Sequence, residues 1–250
     1  MSENRNNKAD ALLQHTQRYQ SGRLTIFLGA APGVGKTFAM LVRAHELALQ
    51  GKDIVIGYVE THGRAETENL LAGLRLIPRK AIEYQGQHLE EMDLDAVLEQ
   101  KPAIVLVDEF AHANMPGSRH EKRWQDINEL LDAGIDVFTT MNIQHLESLN
   151  DVIRQITGIR VAETVPDRVF ERIRDIRLID LPVNELLERL GQGKVYMPEQ
   201  AQQALHGAGA RLSVDHLLGQ RQVLVASRVP RTLALLLAGS AMAVAGLLMQ

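Results

Sequence analysis

Four residues in two short stretches carry the chemistry most legible in this chain: Lys36 and Thr37 in one, Asp108 and Glu109 in the other. Lys36 and Thr37 lie in the run Arg23 to Met40, RLTIFLGAAPGVGKTFAM. Leu24 to Leu28 is an apolar, β-prone segment. A turn of small residues follows, and a helix is expected from Lys36 onward. Strand, glycine-rich turn and helix in that order make a Walker A phosphate-binding loop. Gly29, Ala30, Ala31, Gly33 and Gly35 are small enough for the backbone to wrap closely round a polyphosphate. With Pro32 and Val34 they place the expected nucleotide-binding segment at Ala30 to Thr37. Its N–H groups would form an anion nest, and the helix N-terminus would add a favourable dipole. Lys36 would reach the β- and γ-phosphates of ATP, and the Thr37 hydroxyl would ligate Mg²⁺. Ala30 stands where the motif has its first glycine, a small-for-small departure.

The second stretch is Ala103 to Val107, AIVLV, followed directly by Asp108 and Glu109. Continuous apolarity suits a strand buried on both faces of a parallel sheet. A carboxylate pair at its C-terminal end is a Walker B arrangement, at the edge where doubly wound α/β sheets bind ligands. Asp108 would hold Mg²⁺ through water. Glu109, the candidate catalytic residue, is placed to orient an attacking water if hydrolysis occurs. Polar residues at the end of the next strand, Thr140, Asn142 and Gln144, are candidates for sensing the γ-phosphate; ordinary strand-end hydrogen bonding would use the same residue types.

The remaining elements must position these groups. A strand is expected over 53–59, a turn over 62–64 and a helix over 65–74. A short strand at 82–84 and a helix at 93–100 come next. A loop over 110–120 leads into a helix over 121–132 and a strand over 136–141. A helix at 146–157, strands at 159–165 and 175–180, and a helix at 182–190 complete the pattern. Alternating strands and helices predict an α/β fold of the P-loop NTPase type, a mostly parallel sheet with helices on both faces, plus a C-terminal apolar helix.

Composition limits the alternatives. The chain has 250 residues, a net charge of −4 and 4% aromatic residues. Neither a basic footprint nor stacking platforms for bases are present, which argues against nucleic acid. There is no cysteine, so disulfides and thiolate chemistry are excluded. Residues 1–21 form a polar lead-in with a short helix at 11–19 and no secretory signal. Residues 22–207 form the ATP-binding unit, and 208–231 a basic linker with an apolar β-prone run at 223–226. Residues 232–249, TLALLLAGSAMAVAGLLM, carry no charge; as a helix they would span about 27 Å, enough to cross a bilayer. Arg228 and Arg231 before them would keep the preceding domain cytoplasmic, tethered to the inner membrane. A buried apolar tail is the other reading. His112 and His120 lack the spacing and partners of a zinc site. His45 reads as a helix-surface histidine, and Glu163, Asp167 and Glu171 as solvated charge.

Taken together, GAAPGVGKT at 29–37, VLVDEFAHAN at 105–114, TTMNIQHLESLND at 139–151 and GKVYMPEQ at 193–200 closely resemble the N-terminal domain of the Kdp-type osmosensitive potassium-channel sensor histidine kinase family. The resemblance covers roughly Gly22 to Gln203. It implies a cytoplasmic input module whose ATP loop modulates the balance of kinase and phosphatase activity, with Walker A at Ala30–Thr37 and the Walker B aspartate at Asp108. Relatives continue into a universal-stress-like domain, membrane helices and a kinase core. No phospho-acceptor box is found here, so this chain is expected to be a short form, a truncated product or one piece of a split system. The leading expectation is a regulatory Mg-ATP-binding domain that acts on a kinase core or full-length sensor. Its movers would be the loop 110–120 and the turn 60–64. A stand-alone P-loop ATPase or small-molecule kinase using Glu109 is the second reading, and a non-catalytic partner of a full-length sensor the third. Oligomeric state is left open.

Overall fold

The computed structural model of the chain describes residues 21–29, 32–151, 154, 160–181 and 185. The expectations for residues 1–20, Ala30, Ala31, the helix at 182–190, the linker at 208–231 and the apolar helix at 232–249 fall outside the described residues. Among the described residues no helix is long and apolar enough to cross a membrane.

Six strands form one sheet. They are β1 (Leu24–Gly29), β2 (Ile54–Tyr58), β3 (Arg75–Leu76), β6 (Ile104–Val107), β7 (Asp136–Asn142) and β8 (Ile173–Ile179), in the spatial order β3-β2-β6-β7-β1-β8. Every neighbouring pair is parallel. All six residues of β1 and all four of β6 are buried, as their predominantly apolar runs lead one to expect, with Thr25 of β1 buried among them. Between β3 and β6 in the chain lies an antiparallel hairpin, β4 (Lys80–Tyr84) and β5 (Gln87–Glu91), outside the main sheet.

The sheet is covered on both faces, and the alternation within β1 shows how. Leu24, Ile26 and Leu28 pack in one cluster with Leu94 and Val97 of helix α3 (Leu94–Gln100) and with Ile127, Leu130 and Leu131 of helix α4 (Arg123–Asp132). Phe27 points the other way, into a cluster with Met40, Leu41 and Ala44 of helix α1 (Lys36–Leu49). Each fully buried Leu or Ile contributes roughly 1.5–3 kcal/mol. This two-sided core fixes where the loop after β1 meets the carboxylates after β6.

Several expected elements differ. The helix over 65–74 shrinks to a single turn, α2 (Ala65–Glu68). The chain then straightens into β3, whose residues take up the free edge of β2 (Val55 opposite Arg75). The short strand at 82–84 is part of the hairpin. Its two-residue loop, Gln85 at φ 50° and Gly86 at φ 77°, has the double left-handed geometry that matches strand twist. No strand runs through the described part of the expected 159–165 strand, residues 160–165. Val161 exchanges both backbone hydrogen bonds with the Asn150 side chain, at 3.1 Å each, and only Val165 bridges, to Leu146. Where a helix is expected from 146, Glu147–Leu149 forms a 3-10 turn instead, following another at Ile143–His145. His45 is half-buried and bonds the Leu70 carbonyl at 2.8 Å, tying α1 to the turn after α2.

Gly22 enters β1 with its N–H bonded to the Leu131 carbonyl at 2.7 Å. A Cβ there would sit 1.9 Å from the Ile135 carbonyl oxygen, so the backbone itself would have to shift. Gly22→Ala is expected to destabilise the fold by about 1–3 kcal/mol or more, read as a lower urea midpoint at an unchanged slope.

Candidate functional site

The site lies at the C-terminal edge of the sheet, where β1, β7 and β6 end side by side. Gly29 is opposite Asn142, and Val107 is opposite Thr139. Because β7 sits between the other two strands, Thr140 and Asn142 lie between the glycine-rich turn and Asp108.

The turn is shaped for an anion. Gly33 and Gly35 take left-handed φ values of 80° and 96°, which a side chain would strain. Gly35 is also the N-cap of α1. It has no side chain to bond the first-turn N–H groups, and no acidic residue stands in that turn. The amides and dipole therefore face outward for a ligand. Gly29 is required for a different reason. A Cβ there would come within 2.7 Å of both Lys36 Cδ and Val34 Cγ2, so its absence makes the cradle for the lysine stem. Burial drives the Lys36 ammonium down to about 8; Asp108 opposes this, Arg64 adds to it and Glu109 opposes it. A cation so desolvated is stabilised by an arriving polyanion. Of the expected nucleotide-binding residues, Pro32, Gly33, Val34, Gly35, Lys36 and Thr37 are described here.

Asp108 is buried and held from four directions. The Thr37 hydroxyl donates to its Oδ2 at 3.0 Å, and the Glu60 N–H lies 3.4 Å from the same oxygen. The Thr140 hydroxyl and the Glu109 N–H, the latter at 3.1 Å, donate to Oδ1. Thr37 and Asp108 are 71 positions apart, yet their oxygens already share one point. A hydroxyl and a carboxylate meeting there are hard oxygen donors of the kind that could hold a Mg²⁺. Thr140 is thus a partner of Asp108, whereas the amide oxygens of Asn142 and Gln144 are buried without a hydrogen bond.

Glu109 follows in the left-handed region at φ 59°. Burial and the Asp108 charge push its carboxyl up; Arg123, His112 and His62 pull it down. Its Oε2 lies 3.5 Å from Arg123 Nη1 and 3.8 Å from His112 Nδ1, and its Oε1 lies 4.0 Å from His62 Nε2. The turn 60–64 and the loop after β6 therefore both flank the carboxylates. Glu163 is not simply solvated: it accepts the Ala113 N–H at 2.8 Å and lies 3.8 Å from His112.

Two residues of this site had no legible signal. Arg123 has no exposed surface, donates to the Asp108 carbonyl at 3.2 Å and pairs with the buried Glu91. Its guanidinium lies 3.8 Å above the Tyr58 ring, and Arg79 lies 4.4 Å from the same ring. Lys122–Arg123 reads in sequence as the charged start of a surface helix, and Glu90–Glu91 as exposed acid.

A family model described as the osmosensitive K+ channel His kinase sensor domain, KdpD, matches residues 20–226. The chain belongs to this family. Over 196 residues it is 57% identical to the sensor protein KdpD of Escherichia coli (strain K12), covering 78% of this chain and 22% of that protein. It is 54% identical over 185 residues to the sensor protein KdpD of Clostridium acetobutylicum, covering 74% and 21%. With that of Mycobacterium tuberculosis it shares 52% over 184 residues, covering 74% and 21%. The chain spans about a fifth of the length of these KdpD relatives. The matched region contains the glycine-rich turn, Asp108, Glu109 and Arg123 of the site described above.

Proposed function

We propose that this KdpD-type domain binds Mg-ATP at the Gly29–Thr37 turn and reports nucleotide state to a histidine-kinase core that senses potassium or osmotic stress. The observation that carries the reading is the Thr37 hydroxyl 3.0 Å from the Asp108 carboxylate, beside a glycine N-cap with no side-chain acceptor. Bound Mg²⁺ would neutralise phosphate charge. The chain's own groups do the rest. The turn's amides and Lys36 bind phosphate oxygens, Thr37 and Asp108 hold the metal side, and Asn142 and Gln144 read the terminal phosphate. A ligand shifts a conformational equilibrium only through contacts that differ between the two states. The groups able to differ are the turn 60–64 and the loop after Glu109, because both touch the carboxylates directly. The partner is the kinase core or a full-length sensor, and the domain works on the cytoplasmic side of the membrane, with residues 232–249 as its tether.

The test is ATP binding by titration calorimetry with and without Mg²⁺, on the wild type and on Asp108→Asn. The wild type is expected to bind more tightly with Mg²⁺ by at least about tenfold, one charge-assisted contact. Asp108→Asn is expected to bind ATP equally with and without the metal. An unchanged Mg²⁺ effect in Asp108→Asn would remove Asp108 from the metal site.

A further inference from the structure

We infer that Arg123 is a positioning residue that ties one oxygen of the part-exposed Glu109 carboxylate to a buried ion cluster, so that the site retains ATP instead of turning it over. This rests on the nucleotide reading above and assigns the residue that sets the fate of the bound nucleotide.

Glu109 sits directly after the metal-side aspartate, where a carboxylate can orient water. For hydrolysis, the water oxygen must bond the γ-phosphorus as the bond to the β,γ-bridging oxygen breaks. That electron pair leaves on ADP. The water proton passes to the Glu109 carboxylate and then to the released phosphate. A carboxylate serves this step only if it is free to face the water. Here one of its oxygens is held back: Oε2 is 3.5 Å from Arg123 Nη1 and 3.8 Å from His112 Nδ1, while Oε1 lies 4.0 Å from the exposed His62 and the side chain is 37% exposed. The backbone is held in the same sense. Glu109 keeps a left-handed φ of 59° while its N–H bonds Asp108 Oδ1 at 3.1 Å and Thr140 Oγ1 at 3.3 Å.

Arg123 cannot follow Glu109 outward. It is fully buried, paired with Glu91, bonded to the Asp108 carbonyl and stacked on Tyr58. Glu91 is anchored in turn by the N–H groups of Met92 at 3.1 Å and Met115 at 3.2 Å. The arginine is thus shared between two carboxylates, with a close contact to Glu91 and a looser one to Glu109. The looser link is the one that can open.

Arg123→Lys keeps the charge facing Glu91. A single ammonium, however, cannot also hold Glu109 and the Asp108 carbonyl. Glu91→Gln does the opposite, leaving Glu109 as the nearest carboxylate to Arg123. The experiment measures steady-state Mg-ATP hydrolysis on the wild type, R123K and E91Q, each also combined with E109Q. R123K is expected to raise kcat at least tenfold with KM moving less than threefold, and E91Q to lower kcat. Structural damage would lower both. In the E109Q background R123K is expected to give no rise. A second readout needs no nucleotide. Urea midpoints of R123K, E109Q and the double variant are expected to be non-additive, the double losing less than the sum. If R123K does not fold, a urea-midpoint cycle of E91Q with E109Q carries the test, with non-additive midpoints expected and additive midpoints overturning the coupling. Mg-ATP binding with additive midpoints and no rise in R123K overturns the role of Arg123 alone. Absence of Mg-ATP binding in the wild type, with the coupling intact, overturns the nucleotide reading instead.

Discussion

Lys36→Met is expected to abolish Mg-ATP binding and, in the nucleotide-free protein, to raise stability. Burial takes the Lys36 ammonium from its ordinary 10.5 to about 8, against the attraction of Asp108 and with a contribution from Arg64. That gap corresponds to roughly 3 kcal/mol of disfavoured charge, an upper figure for what a neutral isostere recovers at pH 7. The unfolded chain holds a proton between pH 8 and 10.5 that the folded chain has shed. Stability of the wild type therefore rises with pH through that window, and the penalty is complete below pH 8. Lys36→Met should show a higher urea midpoint at pH 7 and should lack this rise. Its binding should weaken at least about a hundredfold, because a lysine bridging two phosphates makes charge-assisted contacts of roughly 1.5–3 kcal/mol each. Wild-type affinity should fall as pH rises above about 8, where the ammonium loses its proton. Function and stability oppose each other at this residue, as expected where a site holds a desolvated charge. A Lys36→Met variant that is less stable than the wild type would contradict the burial argument.

Glu91→Ala is expected to cost about 3–5 kcal/mol, because it takes from the buried Arg123 its closest carboxylate. Burial alone would push the Glu91 carboxyl up. The His112 ring 3.7 Å away, the Arg123 charge and the Met92 N–H together bring it down to about 2. A depressed carboxyl stabilises the folded state above its unfolded value, and that stability is lost as pH falls from about 4.5 towards 2. Urea denaturation of the wild type should therefore weaken steeply across that range, and Glu91→Ala should weaken far less. Replacing both partners, Glu91→Leu with Arg123→Met, should recover most of the loss, since the pair's desolvation disappears with its charges. A double variant as unstable as Glu91→Ala would show that the cluster stabilises through more than its charges.

The difference between these two residues explains how much of the molecule could be read from its sequence. Lys36 announces itself, because a phosphate loop is a local object: strand, small residues, Lys-Thr and helix lie within eighteen consecutive positions, Arg23 to Met40. The apolar runs of β1 and β6 were equally legible, since burial on both faces leaves Thr25 as the one hydroxyl-bearing residue in the two strands. Arg123 and Glu91 were not legible. They are 32 positions apart, and nothing local distinguishes a buried ion pair from two exposed charges. The segment 159–165 failed for a related reason: its apolar residues suit a strand, but its hydrogen bonds are taken by Asn150 and His145. The β4–β5 hairpin was missed because its turn is Gln-Gly, whereas Asn-Gly or Asp-Gly would have marked it. Thr140 was a candidate for reading phosphate, and its hydroxyl is bonded to Asp108.

The central claim is that a KdpD-type domain with this geometry binds Mg-ATP through Lys36. Equilibrium binding of ATP to the whole chain, with and without Mg²⁺, on the wild type and Lys36→Met, tests it most directly. The account predicts one saturable site that weakens at least about tenfold without the metal and vanishes in Lys36→Met. Binding by Lys36→Met as tight as by the wild type, or no saturable binding by the wild type at millimolar Mg-ATP, would contradict it.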